Sequence, residues 1–168
     1  QVRHLDWLGE KEDPPPMSSS ETITLQAIGV IHTPFTQAAE TPIQAVRSTA
    51  IGQVEVFPPF APGLQDLEGF SHIYLIYQFH RCEVTQLLVE PFLDDQQHGI
   101  FAVRHPFRPN HLGLSLVELT GICGNLLEIR GADMLDGTPL LDIKPFVPVF
   151  DDRRGEIRSG WYETRSKP

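Results

Sequence analysis

Cysteine is nearly absent from this sequence: there are two in 168 residues, Cys82 and Cys123. Two isolated thiols without C-x-x-C spacing make neither a disulfide framework nor a zinc site, and they read first as unpaired, buried side chains. Glycine patterns that cradle phosphate are missing as well. No two of the 13 glycines are separated by a single residue, so the G-x-G-x-x-G dinucleotide fingerprint cannot occur, and the P-loop is also absent. There is no long apolar run. The longest weakly polar stretch, residues 69–79, contains His72 and is too short to cross a bilayer. Nothing near the start joins a basic flank to an apolar stretch, so no signal peptide is expected. These absences point to a cytoplasmic protein without a membrane partner.

Positive charge is scarce too. The chain carries 13 Lys and Arg against 22 Asp and Glu, for a net charge of −9. Residues 21–150 hold 14 acidic and 6 basic side chains; residues 151–168, with 5 basic and 4 acidic, are the only locally basic stretch. This balance excludes a protein that holds nucleic acid by charge alone, because neutralising phosphates needs clustered Lys and Arg. Any nucleic-acid contact must use a local patch.

What is present fits one domain with added ends. Residues 1–20 read as an appendage: a charged run ends in Pro14-Pro15-Pro16, three serines follow, and no amphipathic period survives. Met17 is a candidate natural start. From Ile23 the pattern turns to strands. Ile23, Leu25 and Ala27 alternate with Thr24 and Gln26. Further strands are expected at 54–57, 70–79, 100–104, 114–119, 126–130 and 140–143. Leu64 and Leu67 are placed to share one face of a helical turn. Short strands every ten residues or so, split by Gly and Pro and without a long helix, predict a mainly β fold. The expected architecture is a small closed or partly open β-barrel over residues 21–150 with short helical turns, not a Rossmann fold, followed by a tail at 151–168.

Four clusters in loops or at strand ends are placed to carry chemistry. The first is Thr41-Pro42-Ile43-Gln44, and the second is Phe79-His80-Arg81. In the third, residues 101–110, Arg104 and Arg108 are interrupted by Pro106 and Pro109. Its backbone is partly pre-set by proline, so less entropy is lost on binding, and its guanidinium groups suit a carboxylate or phosphate. A surface turn with solvated arginines is the plainer reading. The fourth is Asp136-Gly137-Thr138-Pro139 followed by Asp142-Ile143-Lys144-Pro145. It serves either as turn punctuation or as an edge that meets a ligand's hydroxyl or amide. His98, His105 and His111 recur at intervals that match no usual zinc spacing, so no metal is expected.

These clusters, in this order, resemble the TrmO/TsaA-like (YaeB-like) family. The matching stretches are Ile28 to Pro34, Leu67 to His72, Gly99 to Asn110, Gly113 to Leu119 and Asp136 to Pro145, about residues 25–150 in all. The resemblance implies a dimeric β-barrel that binds S-adenosylmethionine and methylates tRNA, at N6 of a threonylcarbamoylated adenosine just 3′ of the anticodon. By matching position it implies cofactor contacts at Pro42, Ile43, Gln44, His80, Arg81, Arg104, Leu116, Asp136, Gly137, Thr138 and Pro139. It puts Arg108 and Asn110 in the signature loop as candidates for substrate positioning. Asp142 is a candidate proton acceptor, with solvent as the alternative. The sequence departs from the family at His111, where proline is usual, and it ends about 18 residues after the shared core, where longer relatives carry a further domain. Two rival functions stand beside the first: a methyltransferase of the same fold acting on another nucleoside or small molecule, and a cofactor-binding module without turnover.

Overall fold

The computed structural model describes residues 22–42, 44–153 and 155–165. Among the described residues eight strands form, β1 (Gly29–His32), β2 (Ile51–Val56), β3 (His72–Gln78), β4 (Leu88–Val89), β5 (His98–Gly99), β6 (Leu112–Cys123), β7 (Leu126–Arg130) and β8 (Thr138–Pro145). Six of them close an antiparallel barrel in the order β1-β2-β7-β6-β3-β8, while β4 and β5 pair as a separate ribbon. Closure gives each barrel strand two neighbours and removes the free edges that an open sheet exposes. Short 3-10 segments at 38–40, 45–47, 58–64, 67–69 and 100–102, with two four-residue helices, α1 (Pro148–Asp151) and α2 (Tyr162–Arg165), complete the described chain. No helix among the described residues is long and apolar enough to cross a membrane.

Alternation fills the barrel. Ile73, Leu75 and Tyr77 of β3, Val117 of β6, Leu127 and Ile129 of β7, Val54 and Val56 of β2, and Leu140 of β8 are all buried. Gly113 keeps this packing possible, because the Tyr77 ring from the paired strand lies directly over it and leaves no room for a Cβ. Leu64 and Leu67, on successive 3-10 turns, both enter this core. A second, smaller core gathers Val89, Ile100 and Val103 with Phe107 and Trp161.

Two expected strands do not form. Residues 23–27 pair with nothing, and Ile23 and Leu25 are exposed; the first backbone bonds are made by Ile28, to Leu140 and Phe57, and β2 ends before Pro58-Pro59. Residues 100–104 instead begin with a 3-10 turn. Ile100 and Val103 are buried three positions apart while Phe101 is 77% exposed, a period that suits a tight helical turn and not a pleat. The thiols differ from expectation as well: Cys82 is half-buried and Cys123 exposed. The extension at 1–20 lies outside the described residues.

Candidate functional site

The barrel's order sends three connections to one end. There β1 ends and β2 begins, β3 ends and β6 begins, and β7 ends and β8 begins. Segments 33–50, 79–111 and 131–137 therefore meet although they are far apart in sequence. They carry nearly every residue singled out for chemistry. Leu116 lies on β6, and Pro139 is the second residue of β8, close to that end. Asp142 is the exception.

A groove forms where β6 outruns β7. Residues 118–123 of β6 pair with β7, whereas 112–117 pair only with β3. The vacant flank is taken by segments 44–48 and 131–133. Ser48 Oγ donates to the Ala132 carbonyl at 2.5 Å, and the Gly131 and Ala132 amides donate to the Ala50 carbonyl at 2.9 and 3.2 Å. Gly131 makes the bend at φ +96°, a conformation that favours glycine. The resulting cavity has a volume of about 460 Å³ and is lined by Gln44, Arg104, Leu116, Tyr74, Ser115 and Asp133 among others. Arg104 Nη1 donates to Gln44 Oε1 at 3.0 Å. The structure thus joins the first and third clusters at one site. Pro42 is half-buried just before it, and Ile43 lies outside the described residues.

The fourth and second clusters meet each other at the same barrel end, but none of their residues lines the groove. Asp136 Oδ1 accepts the Thr33 amide at 3.1 Å and lies 3.4 Å from His32 Nδ1, while its own amide donates to the Phe35 carbonyl at 2.7 Å. Gly137, at φ +75°, donates its N–H to Ile31 at 2.9 Å. The buried Thr138 hydroxyl donates to the Leu135 carbonyl at 2.7 Å and lies 3.5 Å from His80 Nδ1. Arg81 Nη1 donates to the Thr36 carbonyl at 2.8 Å. Desolvation by its neighbours, and then the Arg81 charge, lower the His80 pKa, with Asp136 opposing. His80 is thus held neutral at neutral pH.

Arg108 and Asn110 differ in commitment. Arg108 Nη1 donates to the carbonyls of Ile100 at 2.9 Å and Val103 at 2.7 Å, tying down the turn that presents Arg104. Asn110 is exposed at the turn before β6, followed by His111 at φ +49° with its Nδ1 3.1 Å from the Pro106 carbonyl. Asp142 sits on the barrel wall opposite Ile76; Lys144 Nζ lies 3.0 Å from its Oδ2, and the Ile143 amide donates to its Oδ1 at 2.9 Å. Among the described residues no group of three or more His, Cys, Asp or Glu side chains is arranged to hold a metal.

Two features escaped the sequence reading. The first is Asp133, which lies three residues before Asp136. Ser115 Oγ donates to Asp133 Oδ1 at 2.6 Å and lies 3.1 Å from the Tyr77 hydroxyl, so a polar chain runs from the barrel interior to the groove. Its signal was present in the sequence: Ser115 occupies an inward position of β6, and a buried hydroxyl needs a partner. The second is the tail, where Trp161 Nε1 donates to the Ala102 carbonyl at 2.9 Å and its ring stacks on His98 at 4.4 Å. The Tyr162 hydroxyl accepts the Arg104 amide at 3.5 Å.

A family model described as the tRNA-methyltransferase O N-terminal domain matches residues 30–152, which span all but the first residue of the barrel and all four clusters. The chain belongs to this family. Curated members include a probable S-adenosyl-L-methionine-binding protein of Pyrococcus abyssi, 54% identical over 84% of this chain and 77% of its own length. Another, of Archaeoglobus fulgidus, is 39% identical over 84% of this chain and 38% of its own. A mouse tRNA (adenine(37)-N6)-methyltransferase is 38% identical over 52% of this chain and 21% of its own. Among solved structures, TrmO from Pseudomonas aeruginosa superposes with a TM-score of 0.67 at 36% identity, covering 84% of this chain and 63% of that one. A second TrmO crystal structure superposes at 0.69 with 37% identity, covering 83% and 64%. The chain thus spans under two thirds of the solved TrmO chains.

Proposed function

We propose that this chain binds S-adenosyl-L-methionine in the groove beside Gln44, Arg104 and Leu116 and acts as a tRNA methyltransferase. Its acceptor in this reading is N6 of an adenosine, the threonylcarbamoylated one next to the anticodon. The observation that carries the reading is the convergence of three sequence-distant connections on one barrel end, with Gln44, Arg104 and Leu116 lining a single groove. The names of the family's members support it: relatives along most of the chain are named for binding this cofactor, and the mouse relative for methylating adenine N6.

The groove fits such a ligand. Its volume of about 460 Å³ lies within the roughly 300–1,000 Å³ of small-molecule sites, which are mostly apolar with a few well-placed polar groups. Tyr74 and Leu116 offer an aromatic and an aliphatic surface to an adenine ring, Gln44 an amide for a base edge or hydroxyl, and Arg104 a guanidinium for a carboxylate. The bound cofactor supplies a methyl group already activated by a sulfonium. The chain's own task is then positioning, since displacement needs the acceptor nitrogen about 3–3.5 Å from the methyl. The Asp136–Pro139 turn and His80 meet at the same barrel end, outside the residues that line the groove. Against the acidic exterior, tRNA is met by Arg104, Lys144 and the tail's Arg153, doubled by two-fold pairing of chains.

The test is methyl transfer. Purified chain, labelled cofactor and tRNA carrying the threonylcarbamoylated nucleoside are incubated, and the digest is read by mass spectrometry. One added methyl on that nucleoside is expected. Unmodified tRNA from a chain that binds the cofactor would refute the acceptor and move the assignment to a small molecule or a module without turnover.

A further inference from the structure

The geometry points to Asp133 as the counter-charge for the α-ammonium of the cofactor, paired across the groove with Arg104 as the partner of its α-carboxylate. This rests on the cofactor reading above and adds to it the site of the amino-acid end.

Arg104 and Asp133 line the same groove, on different connections, and the Arg104 charge acts on the Asp133 carboxylate. An α-amino acid presents both signs on one carbon, so a guanidinium and a carboxylate facing one cavity match it by charge. They also match by hydrogen bonding: an ammonium has only donors, a carboxylate only acceptors, and a guanidinium only donors. A sulfonium has no N–H or O–H to give and gains less from an oriented carboxylate.

The Asp133 carboxylate is oriented in advance. With Ser115 Oγ donating to it at 2.6 Å, the Tyr77 hydroxyl, 3.1 Å from Ser115 Oγ, is the donor to that oxygen. The backbone N–H of Ala45 also donates to the carboxylate. These bonds fix its direction before any ligand arrives, so little ordering entropy is lost on binding. Holding it there has a cost. Desolvation raises the Asp133 pKa despite Ser115, Ala45 and Arg104, which all pull it down. The fold therefore keeps a carboxylate whose charge its own neighbours do not fully compensate. A perturbed carboxylate that lines a cleft is a candidate ligand group, and its place in the groove with Arg104 makes an α-amino acid its match.

The experiment is a calorimetric ligand series on the full chain and on Asp133→Asn. The ligands are S-adenosylmethionine, S-adenosylhomocysteine, which keeps the ammonium and lacks the sulfonium, and 5′-methylthioadenosine, which lacks the amino-acid end. Loss of a charge-assisted hydrogen bond predicts an affinity fall of about 10- to 100-fold for the first two. The affinity for 5′-methylthioadenosine should be unchanged. A loss confined to S-adenosylmethionine would make the sulfonium the partner and overturn the assignment. Equal losses for all three, or none, would overturn it too. Ser115→Ala, which removes the orienting donor, should show the same ligand pattern in weaker form. Thermal unfolding separates a folding defect: Asp133→Asn keeps an acceptor for Ser115 and should melt no lower than the parent near neutral pH. If the parent chain itself fails to bind S-adenosylmethionine, the cofactor reading fails, which is a different result from an unaffected variant.

Discussion

Replacing Gly113 with alanine should unseat Tyr77 and, with it, the polar chain that reaches the groove. A Cβ at position 113 would overlap Tyr77 Cε2 and Cζ and lie 2.8 Å from Cδ2. The ring has nowhere to retreat. It is buried, packs edge-on against Phe79 at 5.4 Å, and its hydroxyl lies 3.1 Å from Ser115 Oγ. Overpacking of this kind costs about 1–3 kcal/mol, and a lost neutral hydrogen bond adds about 0.5–1.5 kcal/mol. At roughly 2–4 °C per kcal/mol for a chain of this size, a total of about 1.5–4.5 kcal/mol lowers Tm by about 3–18 °C. Scanning calorimetry of the two proteins at equal concentration reads this directly. Cofactor affinity should fall in the same variant, because Ser115 loses the donor that points it at Asp133. An unchanged melting temperature would refute the packing argument, and a large thermal loss with unchanged cofactor affinity would refute the link from barrel to groove.

Other substitutions divide the account into parts. Arg104→Ala should weaken S-adenosylmethionine about 10- to 100-fold in calorimetry, with little change in Tm because the side chain is exposed. Trp161→Ala removes the ring that stacks on His98 and the bond to Ala102; it should lower both Tm and cofactor affinity, since the tail braces the turn that carries Arg104. The raised Asp133 pKa fixes a pH trend. The folded chain holds that proton more tightly than the unfolded chain, so this contribution to stability is complete below the unfolded pKa and is lost as pH rises through the folded one. Parent and Asp133→Asn melting curves should therefore diverge with rising pH, the variant becoming the more stable. Arg153→Glu should weaken tRNA binding without changing cofactor affinity, and the parent's binding should fall with salt by about 0.7–0.9 in logarithmic slope per neutralised phosphate; filter binding across a salt series would show either.

The barrel was legible because its signal is local. Alternation in 126–130 and the aromatic, β-branched run at 70–79 each name a strand whose inward residues prove buried. The misreadings have a common cause, which is that alternation does not supply a partner. Ile23 to Ala27 alternates as well as any strand, yet one neighbour, β2, ends before Pro58, and the segment stays unpaired. Ile100 to Arg104 is apolar enough for a strand, but its carbonyls are claimed by Arg108 and its burial follows a helical period. The site was legible only in pieces. Gln44 and Arg104 stand 60 positions apart and touch through a 3.0 Å hydrogen bond, a proximity that barrel closure creates and no local pattern encodes. Asp133 was hidden for the same reason. Its partner Ser115 lies on β6, and only the overhang of β6 past β7 brings the two together.

The most direct measurement is a crystal structure of the chain grown with S-adenosylmethionine. Ligand density is expected along the groove, with the adenine against Tyr74 and Leu116 and the amino-acid end between Arg104 and Asp133. Density elsewhere on the barrel, or none at saturating cofactor, would contradict the assignment of this groove.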